Sequence, residues 1–177
     1  KTSPVVASSQ PTQDDFANRN GDAKITALAQ TGGSEKTEAA VASALRFLAQ
    51  TQQPNGSWNP QTTGAGVERA PLGVNRHGAG GRSETAITGL ALLAMIGAGN
   101  THHQGPYADH VYRGLAFLIN SQSRVPQNLG SLAGPTTSVY SATYSHGIAA
   151  LAMCEAAAIT QDASALVSAK RAMAYTR

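Results

Sequence analysis

Eight consecutive residues return 70 positions further along the chain with their character intact. Leu45-Arg46-Phe47-Leu48-Ala49-Gln50-Thr51-Gln52 aligns with Leu115-Ala116-Phe117-Leu118-Ile119-Asn120-Ser121-Gln122. After each glutamine a turn leads into Gly-Ser and an apolar residue: Gly56-Ser57-Trp58 in the first copy, Gly130-Ser131-Leu132 in the second. Gly89-Leu90-Ala91-Leu92-Leu93-Ala94-Met95 and Gly147-Ile148-Ala149-Ala150-Leu151-Ala152-Met153 form another such pair, offset by 58 residues. Repetition at this scale constrains the fold more than any isolated motif does. Each unit is too small to bury its own apolar surface, so neighbouring units have to stack.

The periodicity inside the units is helical throughout. Val41, Leu45 and Leu48, with Ala44 and Phe47 beside them, recur at three- and four-residue spacing, which places them on one face of a helix over Lys36–Gln53. Ser34 suits its N-cap, and Glu35 and Glu38 lie where the helix dipole favours negative charge. Pro54, Asn55 and Gly56 stop it. Further helices are expected over Glu84–Ala98, Tyr107–Ser121 (with Pro106 in the first helical position), Thr143–Ile159 and Ala163–Tyr175, the last capped by Asp162. The segments around Leu92 and Ala152 are apolar around most of their circumference and should be buried on nearly all sides. The order is amphipathic, buried, amphipathic, buried, amphipathic. That is an all-α fold of about two and a half hairpins, with half-exposed helices outside and buried ones inside.

Residues 1–33 are rich in Ser, Thr, Gln, Asn, Pro and Gly and read as a linker or loosely docked arm, with at most a short apolar turn at Ile25–Ala29. Residues 34–177 form the repeat segment, which ends inside an apolar-periodic stretch as though cut on its C-terminal side. A long loop is expected from Asn59 to Arg82.

Composition narrows function mainly by exclusion. The net charge is +3, but only 13% of residues are charged and 5% are aromatic, with Lys and Arg scattered. Clustered cations and stacking aromatics, which a nucleic-acid binder needs, are lacking. No apolar run reaches the roughly 18 residues of a membrane span. The one cysteine, Cys154, rules out an internal disulfide framework and a cysteine-cluster zinc site.

Gln52, Gly56, Ser57 and Trp58, hung on an amphipathic helix, resemble the glutamine–tryptophan motif of the prenyltransferase and squalene-cyclase repeat family. The likeness runs from about Glu35 to Tyr175. Thr88–Ala94, Gly97–His102 and Tyr144–Ala149 look closest to bacterial repeat proteins of the planctomycete kind that have no assigned reaction. The resemblance implies a partial α/α toroid, a ring of hairpins with inner and outer helices. It also implies structural roles for Gln52 and Trp58: the amide bonds backbone at a helix end and the indole packs on the next hairpin.

The catalytic signatures of that family are not found. The Asp-x-Asp-Asp acid of the cyclases is represented only by Asp14-Asp15, with Thr12 where the first Asp belongs. The zinc set of the protein prenyltransferases would need an Asp two residues before Cys154, where Ala152 stands, and the Cys-Gly-Glu-Gln thioester is missing. Glu84 and Glu155 are the only acids in the buried helices, thin support for a carbohydrate-active toroid. The reading that follows is a non-catalytic scaffold in a larger, exported or cell-envelope bacterial protein. Its partner is the rest of its own chain or another protein, an apolar or isoprenoid ligand fits the family, and no cofactor or metal is implied. The alternative is part of a terpene cyclase or prenyltransferase whose catalytic residues lie outside this segment.

Of the five histidines, His102, His103, His146 and His77 remain, with a few loop cations, as candidate ligand contacts. His102 and His103 follow the first buried helix and His146 begins the second, positions near a rim or cavity in a toroid. Neutral imidazoles there can contact a ligand, act as acid or base, or cap helices. No carboxylate stands at a recognisable ligand spacing from them, so the sequence provides no metal site. Arg69, Arg76, His77 and Arg82 flank Gly78-Ala79-Gly80-Gly81, and glycine-rich backbone before a helix can cradle an anion, although no strand precedes it as in a phosphate loop.

Overall fold

The computed structural model describes residues 13–64 and 78–177. The described chain is helical, with no strand among these residues. Its α-helices are α1 (Gly21–Thr31), α2 (Glu35–Thr51), α3 (Pro60–Thr63), α4 (Glu84–Gly97), α5 (Ala108–Ser121), α6 (Ala142–Thr160) and α7 (Ala163–Thr176). Three 3-10 turns accompany them at Gln13–Arg19, Ala79–Arg82 and Pro126–Asn128. The all-α class expected from periodicity is therefore the class observed. No described helix is long and apolar enough to cross a membrane.

Local chemistry fixes the helix ends. At α2, Ser34 Oγ accepts from Thr37 N–H while Thr37 Oγ1 accepts from Ser34 N–H, a reciprocal capping box that satisfies two otherwise orphaned donors. Asp162 caps α7 by accepting from Ala165 N–H. Pro106 is not the first residue of α5, which begins at Ala108 after Tyr107. The entry to α5 is held from outside the helix, where Asn100 Oδ1 accepts from Tyr107 N–H.

α4 and α6 pack side by side and form the inner layer, against which α2, α5 and α7 lie as an outer layer. The shared core comprises Trp58, Leu92, Met95, Ile96, Val111, Leu118, Leu132 and Met153, with small residues of α6 and α7 between them. The close approach of the inner helices is set by Gly89: a Cβ there would lie 3.1 Å from backbone atoms of Ile148 and Ala149. The inner helices are not buried on all sides, contrary to expectation. Leu90 on α4 and Tyr144 and Leu151 on α6 are at least half exposed, because no described element covers that side of them. On α2, Leu45 is buried but Val41 and Phe47 are exposed, so only part of its apolar face is used.

Two connections differ from the expected loops. The segment before α2 is helical from Gln13 onward, although α1 buries none of its residues. It is tied down by Arg19, which pairs with Glu155 of α6, and by Lys24, which pairs with Glu38 of α2. After Trp58 the chain turns into α3, where Asn59 caps and Pro60 occupies the first turn. These are ordinary helix-start signals, but a helix of one turn has no apolar period to go with them.

Candidate functional site

The glutamine–tryptophan element is built twice on one plan. Gln52 Nε2 donates to the carbonyls of Gly56 and His110, each at 2.9 Å. Gln122 Nε2 donates in the same way to the carbonyls of Gly130 and Ser168, each at 3.0 Å. One amide thus closes its own turn and clamps the next outer helix. The glycines after the turns have φ of 91° and 90°, and a Cβ on either would overlap the carbonyl of Arg113 or Arg171. Glycine is required at both on two counts.

Trp58 is 1% exposed, its Nε1–H donates to Leu48 O at 2.7 Å, and its ring lies against Gly114 of α5. Its backbone N–H donates to Thr88 Oγ1 of α4; in the second copy, Leu132 N–H donates to His146 Nδ1 of α6. Ser57 Oγ bonds Glu84, so that acid is engaged in the joint, as Glu155 is with Arg19. These bonds tie each turn to the helices of its own hairpin, and only the glutamine amides reach the next outer helix.

His146 is 5% exposed, and both ring nitrogens are used inside the chain. Nδ1 accepts from Leu132 N–H, which puts the proton on Nε2, which then donates to Thr176 Oγ1 at 3.0 Å. Thr176 in turn donates to Ala172 O, and the imidazole meets the Tyr175 ring edge-on. Burial lowers its pKa below 6.5. In this position it is a framework residue.

His102 and His103 lie elsewhere. His146 is in the first turns of α6, whereas His102 approaches Asp162, just beyond the other end of that helix. At 1.5 Å per residue, α6 separates the two places by roughly 20 Å, so the histidines do not converge on one site. Around His102, three side chains come together: ligand atoms of His102, His103 and Asp162 all lie within 4.8 Å of one another. The two rings have centroids 3.9 Å apart and are tilted by 43°. Consecutive side chains meet in this way because the segment is a bend and neither helix nor strand. Residue order does not reveal Asp162 as their partner, because its position is fully explained by the cap of α7. His102 and Asp162, with Tyr112, Leu115 and Ile119, line a pocket of about 230 Å³. His103 lines another of about 410 Å³ with Phe16, Thr101 and Gln104.

Burial and charge act in opposite senses on His102. Burial, aided by the neighbouring His103, lowers the His102 pKa against the opposing pull of Asp162. The Ala165 N–H bond above all, then the nearby His102 and the Ser164 N–H, keep the Asp162 pKa low against some desolvation.

The other candidates stand apart from this cluster. Arg69, Arg76 and His77 lie outside the described residues. The glycine run that follows is a 3-10 turn whose N–H groups at Gly81 and Ser83 bond the carbonyls of Gly78 and Gly80. Those donors are therefore taken and do not form an anion cradle. Cys154 is half-buried, and burial pushes its thiol pKa up, away from the thiolate a metal or nucleophile would need. Asp14 and Asp15 lie in the first 3-10 turn, with side chains outside the described set. Comparison with protein-family models, with curated proteins and with solved structures finds no match to this chain.

Proposed function

We propose that this chain is a non-catalytic segment of an α/α toroid of the prenyltransferase and squalene-cyclase kind, serving as a scaffold on which a further hairpin docks. The observation that carries the reading is the contrast between Gly89 and Gly147. These glycines occupy equivalent positions on the two inner helices. A Cβ on Gly89 would press on the α6 backbone, whereas a Cβ on Gly147 meets nothing within 4 Å. Gly147 is flanked on the same exposed stripe of α6 by Tyr144 and Leu151. In that stripe Gly147 and Leu151 repeat Gly89 and Leu93 of α4, with Tyr144 where α4 has Ala86, and no described element covers it. The occupant that fits is another helix of the same repeat, from the rest of the same protein or from a partner built alike.

The joint chemistry supports the same reading, since each glutamine Nε2 commits one bond to its own turn and one to the next outer helix. The test is sedimentation of purified residues 1–177 in the ultracentrifuge with a parallel activity assay. The expected result is concentration-dependent association that Leu151→Glu abolishes, with no turnover of squalene or a prenyl diphosphate. A chain that stays monomeric at all concentrations would argue against a docking face on α6. Turnover by the intact protein that one point substitution in these residues abolishes would sink the scaffold reading.

A further inference from the structure

We propose that His102, His103 and Asp162 form a binding site for a divalent transition-metal ion of the zinc class. Three donors around a tetrahedral zinc, at about 2.0–2.2 Å each, stand roughly 3.3–3.5 Å from one another. His102 Nε2 and Asp162 Oδ2 are 3.8 Å apart, too far for a hydrogen bond and close to that ligand spacing. The capping bond to Ala165 N–H uses the other oxygen, Oδ1, so the cap and the cluster do not compete for one atom. All three donor groups fall within 4.8 Å of one another.

His102 is the most buried member of the cluster. Its side chain is only 9% exposed, and its buried Nδ1 has no hydrogen-bond partner among the described residues. The nitrogen that faces the cluster is Nε2, which has the Asp162 carboxylate only at 3.8 Å, outside hydrogen-bond range, and is free to take an ion. Nδ1 lies on the opposite edge of the ring and would remain the N–H of a metal-bound imidazole. His146 and His110 show how this fold treats a framework histidine: His146 has both nitrogens bonded, and His110 Nδ1 lies 2.7 Å from Gln52 Oε1.

The repeat gives a reason to separate these histidines from the framework. With the 58-residue offset that relates α4 to α6, the positions of His102 and His103 fall on Thr160 and Gln161. The second hairpin thus closes with neither histidine, carrying α6 on to Thr160 where α4 stops at Gly97. The first hairpin instead has a bend that brings two imidazoles to a carboxylate. Stacking of the repeat does not require that arrangement.

The donor set chooses the ion. Two imidazoles and one carboxylate suit Zn²⁺, Co²⁺ or Ni²⁺ and poorly suit Mg²⁺ or Ca²⁺, which prefer all-oxygen shells. The imidazoles must be neutral and the carboxylate ionised to bind, so binding should weaken as pH falls. Three protein donors leave a fourth position for water.

The test uses the purified 177-residue chain, stripped with chelator and titrated with Zn²⁺ by calorimetry and with Co²⁺ by visible absorption. One ion per chain is expected, with the intense tetrahedral Co²⁺ spectrum and a higher unfolding midpoint in Zn²⁺. His103→Ala changes an exposed side chain, and Asp162→Asn keeps a good N-cap, so both should fold as judged by circular dichroism. Each is expected to weaken Zn²⁺ binding by more than about tenfold, while Cys154→Ser and His146→Asn leave it unchanged. Absence of stoichiometric binding overturns the site, and so does binding that survives both His103→Ala and Asp162→Asn.

Discussion

Gln52 holds His110 at two points: its Nε2 donates to the His110 carbonyl at 2.9 Å, and its Oε1 lies 2.7 Å from His110 Nδ1. Because the Nε2 group is committed to two carbonyls, Oε1 must be the acceptor and His110 Nδ1 carries the proton. Arg113, 3.1 Å from the same nitrogen, then faces a donor and adds repulsion rather than a bond. In the second copy Ser168 Oγ donates to Gln122 Oε1 at 3.1 Å, so a hydroxyl does what an imidazole does in the first. The repeat keeps the bonds around the amide rather than the residue that completes them.

Removing either amide should therefore cost stability. Gln122 is 6% exposed, and Gln122→Ala strands two carbonyls and the Ser168 hydroxyl. A loss of about 2–3 kcal/mol is expected from unsatisfied buried polar groups, read as a lower urea midpoint at unchanged slope. Gln122→Glu should be at least as damaging, since a carboxylate cannot donate to either carbonyl.

Glycine substitutions should sort by position. Gly56→Ala and Gly130→Ala each combine a left-handed φ with overlap on an arginine carbonyl, and a loss of more than about 2 kcal/mol is expected at both. Gly147→Ala meets open space in a helix and should stabilise the isolated chain by about 0.5–1 kcal/mol. Gly89→Ala, pressed against the α6 backbone, should forfeit that gain or reverse it. Thermal unfolding of the four variants side by side distinguishes these outcomes.

Trp58→Ala should be among the most destabilising single changes, at about 3–5 kcal/mol for a fully buried aromatic. Trp58→Phe keeps much of the packing but leaves Leu48 O without the indole donor, and should lose less. Equal losses in chemical denaturation would show that the bond, rather than the volume, dominates.

Stability should fall on mild acidification. His146 has its folded pKa lowered by burial, so the unfolded chain takes up the proton first as pH drops. The stability associated with the neutral ring is present above the unfolded value of about 6.5 and is lost as pH falls from there through the folded value. His110, shifted down by burial and then by Arg113, adds a contribution of the same sign. His146→Asn retains an acceptor for Leu132 N–H and should flatten part of the slope in denaturation curves taken across this range.

What the sequence determined by itself was the helical framework. Periodicity, caps and stop signals are local: Ser34, Asp162 and the glycine turns act within a few residues, so the helices and the two glutamine turns are legible without knowledge of any contact. The one-turn α3 and the helical segment before α2 are not legible in this way, because one turn carries no period and α1 buries no residue to create one. Tertiary structure alone decided which histidines share a place. It engaged His146 at one end of α6 and brought Asp162, 60 residues from His102, beside it at the other. Such pairings depend on how α4, α6 and α7 pack, and packing distance has no signature in residue order. The same dependence explains Gly89 and Gly147: alike in sequence, they differ because a described helix lies against one and none lies against the other.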